Sequence, residues 1–193
     1  MTQEPHRLKQ ALWRNSPHQD ARPEAVELSL IIIHGISLPP GVWGGGAVDA
    51  LFMGQLLGRK DLEAQGLGGL QQLRVSAHLW IRRSGAVLQY VPFNRRAWHA
   101  GVSRWRGREA CNDFSIGIEM EGGDHIPYDE RQYRVLSQVL AELKQRYPTL
   151  LEVVGHSDIA PGRKTDPGPS WDWSKLVLPE AMWLSGQQKG DGF

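Results

Sequence analysis

The chain has 193 residues, 40% hydrophobic and 22% charged, and its 22 Lys and Arg against 21 Asp and Glu leave a net charge of +1. That length suits one domain with its own core, the lack of a basic block argues against nucleic acid as the main partner, and no apolar run is long enough to span a membrane. The opening residues lack an apolar signal core and Cys111 is the only cysteine, so a cytoplasmic, reducing location is expected.

Residues 1–25 are polar, with prolines at 5, 17 and 23, and are expected to wrap the surface with His6 and His18 solvated. Residues 26–34 (VELSLIIIH) carry three consecutive isoleucines, the β-branched run of a strand buried on both faces. The Pro- and Gly-rich stretch 36–46 leaves that strand as a loop, 47–57 has helical spacing at Val48, Leu51 and Phe52, and 58–69 returns to loop. Residues 74–81 and 86–91 read as a hairpin with glycine at its turn, with His78 buried and satisfied inside it. A loop over 95–101 precedes 114–120, which alternates as a strand, and His125 sits in a surface turn. From Asp129 to Arg146 the pattern is a long helix: Asp129 and Gln132 form a capping box, Leu136, Val139, Leu140 and Leu143 a stripe, and Pro148 a stop. Residues 151–155 give a second short buried strand, and 179–193 a polar tail. Strands interleaved with one long helix, in a single compositional zone, predict an α/β fold. It would be one domain over 1–193, with a central mixed β-sheet flanked by helices.

Two histidines stand apart from the other five. His34 and His156 each end an apolar strand and enter an irregular loop, and strand carboxyl ends are where ligands collect in open sheets. The loop after His156 holds three prolines and two glycines, which favour fixed irregular turns, and it offers two aspartates, Asp158 and Asp166. Two imidazoles and a carboxylate suit a catalytic zinc that keeps one position open. Glu119 shares a strand face with Gly117 and Glu121, opposite Ile116, Ile118 and Met120. A glutamate in a metal cleft can carry a proton from water to a leaving amine, and a lysine such as Lys164 can stabilise an oxyanion there.

The segments IIIHGIS, RAWHAG, CNDFSIGIEMEG and VGHSDIAPGRKTDPGPSWDW resemble the AmpD-type N-acetylmuramoyl-L-alanine amidases, from Arg14 to Leu178. These are cytoplasmic zinc enzymes of cell-wall recycling, related in fold to peptidoglycan recognition proteins. The resemblance implies one Zn2+ on His34, His156 and Asp166, with Asp158 left to the architecture of the loop. It implies Glu119 as general base and acid, Lys164 at the oxyanion, and Arg74 at a stem-peptide carboxylate. Trp98, His99 and Trp43 would be sugar-facing walls, and Asn112 and Asp113 loop organisers. The implied substrate is a small anhydromuramyl peptide, with no nucleic acid, membrane or obligate protein partner. Two departures stand out. Relatives often carry an arginine where this chain has Ala110, with Arg106 and Arg108 the nearest substitutes, and an asparagine where it has Gly35. Three alternatives remain at this level: a muropeptide-binding module, a different zinc hydrolase such as a carboxypeptidase, and an exported lytic amidase.

Overall fold

The computed structural model describes residues 6–184; residues 1–5 and 185–193, and with them most of the expected polar tail, lie outside the described residues. In chain order the strands are β1 (Leu12–Trp13), β2 (Gln19–Ala21), β3 (Leu30–Ile36), β4 (Leu79–Ile81), β5 (Val87–Gln89), β6 (Arg95–Ala97), β7 (Arg104–Trp105), β8 (Arg108–Glu109), β9 (Ser115–Glu121), β10 (Glu152–Gly155) and β11 (Trp183–Leu184). The helices are α1 (Ala47–Phe52), α2 (Lys60–Glu63), α3 (Glu130–Arg146) and α4 (His156–Ile159). Seven strands make one sheet in the order β1-β5-β4-β9-β3-β10-β11, while β2 pairs with β6 and β7 with β8. All neighbours in the large sheet run parallel except β4 and β5, so the sheet is mixed, as the sequence pattern predicts.

One face of the sheet is apolar. Ile31, Ile33, Ile116, Ile118, Met120 and Val153 are fully buried there in one cluster with Leu136, Val139, Leu140 and Leu143 of α3. The predicted capping box is present: the Asp129 carboxylate accepts from the Arg131 amide at 2.9 Å, and Gln132 Oε1 accepts from the Asp129 amide at 3.0 Å. Such a cap contributes about 1 kcal/mol.

Several elements differ from the sequence expectation. The first strand runs past His34 to Ile36, because its pairing with β9 continues to Ile36 opposite Glu121. The stretch 58–69 holds α2 and the start of a 3-10 turn (Gly68–Gln72). The loop after β10 begins with a helical turn, α4, because Asp158 Oδ2 accepts from the Gly155 amide at 2.7 Å and caps it. His18 is buried rather than solvated: its Nδ1 lies 3.0 Å from Val75 O and its ring stacks on Trp98. His6 is half-buried, with Nδ1 2.8 Å from the Tyr147 hydroxyl. The N-terminal segment enters the sheet: β1 covers the edge of β5, and an open edge is a liability that such a strand removes.

Candidate metal centre and cleft

Parallel pairing brings the chemistry to one end of the sheet. The β3–β9 register sets His34 opposite Glu119, and the β3–β10 register sets Ile33 opposite Gly155, so His156 emerges beside His34. The Nδ1 atoms of His34 and His156 face each other at 2.9 Å, and Asp166 Oδ2 lies 3.2 Å from the first and 3.0 Å from the second. A three-residue group within 4.8 Å that could hold a metal ion is thus built from His34 and two residues of one loop, 122 and 132 positions further on.

The hydrogen bonds around this triangle show whether a cation fits it. A carbonyl can only accept, so His156 Nε2, 3.2 Å from Ala100 O, carries that ring's proton and leaves Nδ1 as a lone pair. The Ser115 hydroxyl donates to Cys111 O, so it accepts from His99 Nε2 at 3.4 Å. His99 Nδ1 then accepts from His34 Nε2 at 3.0 Å, and His34 Nδ1 is also bare. Burial lowers the His34 pKa to about 4, which keeps the ring neutral near pH 7. Two bare nitrogens and a carboxylate oxygen therefore converge. The edges of 2.9 to 3.2 Å are close to the ~3.3 Å expected between ligands about 2.0–2.1 Å from a tetrahedral zinc. The donor set and its tautomers fit a divalent ion, and the outward N–H of each histidine is held in the way metal-binding imidazoles require.

Glu119 is buried on the site face with no hydrogen-bonding partner among the described residues. Burial, then the charge of Asp166, pushes its carboxyl well above the usual range, and Lys164 opposes that shift. A cavity of about 230 Å³ opens over these groups. His34, Glu119, His156, Asp166 and Lys164 line its polar side, and Leu51, Phe52, Leu73, Val75 and Trp98 its apolar side. Lys164 is exposed at the rim and has no ion-pair partner among the described residues. Trp98 is half-buried against His18. His99 also lines the cavity, but its ring is committed to His34, and a Cβ on Gly117 would lie 2.4 Å from it. Arg74 is exposed between Leu73 and Val75, which line the cavity while Arg74 does not. Trp43 lies under the Arg83 guanidinium at 4.9 Å, away from the cavity lining.

The loop residues divide similarly. Asn112 Oδ1 accepts from the amides of His99 and Ala100, which fixes the segment that holds the His156 proton. Arg106 pairs with Glu152 at 2.7 Å, and Arg108 lies over Phe114 and donates to Ser29. Neither is among the residues that line the cavity. Sequence reasoning passed over Arg22, whose guanidinium donates to the carbonyls of Phe93, Asn112, Asp113 and Ser115. Burial lowers its pKa to about 10, and it stays charged. It also passed over Tyr128, whose hydroxyl donates to Pro167 O at 2.8 Å, one residue past Asp166. Burial pushes that phenol up, and the charges of Glu119 and Asp166 add to the shift, so it remains a donor. The glycines at 35 and 122, which make room for its ring and hydroxyl, were the only sequence signal for it.

A family model described as N-acetylmuramoyl-L-alanine amidase matches residues 27–169. The chain belongs to that amidase family. A 1,6-anhydro-N-acetylmuramyl-L-alanine amidase, AmpD of Citrobacter freundii, is 53% identical over 171 residues, covering 86% of this chain and 89% of that protein. A crystal structure of a selenomethionine derivative of AmpD superposes with a TM-score of 0.83 at 49% identity, covering 91% of this chain and 97% of that one. The N-acetylmuramyl-L-alanine amidase AmiD of Escherichia coli, solved in complex with anhydro-N-acetylmuramic acid-L-Ala-D-γ-Glu-L-Lys, matches with a TM-score of 0.55 at 30% identity. That match covers 81% of this chain and 59% of AmiD. This chain is thus an N-acetylmuramoyl-L-alanine amidase with the single-domain mixed sheet expected from the sequence. No helix among the described residues is long and apolar enough to cross a membrane.

Proposed function

We propose that this amidase hydrolyses the amide between the lactyl group of 1,6-anhydro-N-acetylmuramic acid and L-alanine in soluble muropeptides, as a cytoplasmic step of cell-wall recycling. One observation carries the reading: the two bare imidazole nitrogens and the Asp166 oxygen converge in a single cavity beside Glu119, which is buried and has no hydrogen-bonding partner among the described residues. His34, His156 and Asp166 would hold one Zn2+, and the bound ion would supply Lewis acidity toward the amide carbonyl and toward water.

The remaining work belongs to the chain's own side chains. Glu119 takes the proton from the attacking water as the new C–O bond forms, and returns it to the alanine nitrogen as the C–N bond breaks. Its burial favours holding that proton between the two steps. Lys164, at the rim of the same cavity, opposes the negative charge that builds on the carbonyl oxygen. The products are the lactyl carboxylate and the free amine of the peptide. Trp98 and the apolar wall at Leu51, Phe52 and Val75 offer a surface to the sugar. Arg74, exposed beyond that wall, suits a carboxylate on the stem peptide. The complete donor set with Glu119 speaks against a module that only binds, and the names of the 53%-identical relative and of the AmiD complex support the anhydro-sugar substrate.

Mass spectrometry of zinc-loaded protein incubated with anhydromuramyl-tripeptide and, in parallel, with intact sacculi tests this. Free tripeptide from the soluble substrate, with little release from sacculi, is the expected result. Equal cleavage of both would overturn the recycling assignment, and a shortened peptide still attached to sugar would overturn the bond assignment.

A further inference from the structure

The metal triangle lies on one face of the sheet, and α3 covers the other. His34 points to the first face, and Gly35, the next residue, to the second. Its missing side chain is what matters. A Cβ on Gly35 would lie 2.2 Å from the Tyr128 hydroxyl oxygen, and a Cβ on Gly122 would lie 2.0 Å from Tyr128 Cε1. The two glycines sit on neighbouring strand ends, and together they form a slot that the Tyr128 side chain fills. From that slot the hydroxyl reaches around the end of the sheet to Pro167 O at 2.8 Å. The ring itself is wedged edge-on against Trp171 at 4.9 Å, and Trp171 packs on Tyr133 of α3 at 4.6 Å.

We propose that Tyr128 is a positioning residue for the metal ligand Asp166, and that Gly35 is glycine in this chain so that the Tyr128 hydroxyl can reach the Asp166–Pro167 segment from behind. The proposal rests on the assignment of His34, His156 and Asp166 as metal ligands. The segment from 166 to 171 approaches the metal site from outside the sheet, so no strand pairing sets its height. It is held by the Tyr128 hydrogen bond, by the Ser157 amide donating to Asp166 O at 3.0 Å, by Ser170, whose amide donates to Asp124 O and whose hydroxyl is shared among the Gly123, Asp124 and Ile126 carbonyls, and at its far end by the packing of Trp171. Of these, the Tyr128 hydrogen bond is the one that reaches the residue immediately after the ligand from the α3 side of the sheet. Partners outside the ligand set matter because a ligand that drifts by a fraction of an ångström binds its ion less tightly.

The test uses the full chain and cobalt as a visible probe of metal geometry. Tyr128→Phe keeps the ring and removes only the hydroxyl. The expected result is metal affinity weakened by roughly 10-fold, a changed visible spectrum of the cobalt-loaded protein, and an unchanged thermal midpoint of the metal-free protein beyond the loss of one hydrogen bond. Gly35→Ala should cause an equal or larger loss, because the new methyl displaces the hydroxyl. Combined with Tyr128→Phe, however, it should add nothing: without that oxygen, the nearest atoms to the new Cβ are at 3.5 Å. Rescue of the glycine variant by the phenylalanine variant would be hard to obtain from general destabilisation. Additive losses in the double variant, or a Tyr128→Phe protein with wild-type cobalt spectrum and affinity, would overturn the proposal while leaving the metal assignment standing. Wild-type protein that takes up neither zinc nor cobalt would overturn both.

Discussion

Strand β9 is buried on both sides, yet its two faces follow different rules. On one side Ile116, Ile118 and Met120 pack into the α3 cluster, where shape and volume are all that is asked. On the other, Ser115, Gly117, Glu119 and Glu121 face a layer of polar groups: Ser115 meets Cys111 O and His99, Gly117 leaves room for the His99 ring, and Glu121 accepts from the Gly44 and Arg83 amides. Burial is nearly equal and the consequences are not. Each group on the apolar face is replaceable by another of similar volume, whereas each on the polar face needs a specific partner. Glu119 is the exception within the exception, since it is buried and has none among the described residues.

That contrast can be broken from either side. The largest effect is expected for His34→Ala, which should lose bound metal and lower kcat/KM on the order of 10⁴-fold, the several kcal/mol that a catalytic ion supplies. Metal analysis beside kinetics checks it, and retained activity at low metal content would break the assignment. Glu119→Gln should keep the metal and lower kcat by about 10³-fold; loss of metal instead would make Glu119 a ligand. Ile118→Ala, one residue away but on the apolar face, should cost about 2–5 kcal/mol of stability through the cavity it leaves, with kcat nearly unchanged in the fraction that remains folded. Urea unfolding paired with kinetics at low temperature would separate the two.

The smallest effect is a pH dependence of the metal-free protein. Burial lowers the pKa of His34 from 6.5 to about 4, and also lowers His78 and His99. The unfolded chain therefore binds protons that the folded chain refuses, and stability should fall as pH drops from 6.5 toward 4. Glu119, raised by burial, acts with the opposite sign, because its folded form holds a proton that the unfolded chain releases above its usual 4.5. The urea midpoint should thus decline over that window, and Glu119→Gln should steepen the decline. A flat midpoint in the Glu119→Gln protein, where the opposing carboxyl is gone, would mean that these histidines are protonated in the folded state.

The sequence made the apolar side of this molecule easy to read and the polar side only half readable. Periodicity located α3 and its capping box, and the isoleucine run located β3, because both signals are local. His34 and His156 stood out for the same local reason: each follows an apolar strand and enters a loop rich in Gly and Pro. The choice of Asp166 over Asp158 and the role of Glu119 leaned on family resemblance. The geometry gives each a physical basis: Asp158 is spent capping Gly155, and strand register puts Glu119 beside His34. The part that stayed illegible is the set of long-range partners. That His99 orients His34, that Arg22 ties the N-terminal segment beneath the site, and that Tyr128 fills the place of two absent side chains depend on contacts between segments that no window of the chain displays. Arg106 and Arg108, named from sequence position alone, likewise turn out to be engaged with Glu152 and Phe114, contacts that no window of the chain displays.

The triangle of His34, His156 and Asp166 is also a clock for assembly. His34 and His156 are 122 positions apart, and His34 and Asp166 are 132. No fragment that stops short of β10 contains all three of these residues, and no partly ordered chain holds them together until β3 and β10 have paired and the loop from His156 to Asp166 has closed. Long-range pairings of this kind close late because the intervening loops must be ordered first. During refolding, tight uptake of the ion should therefore appear with the last cooperative step, after the helical signal of α3 has already risen.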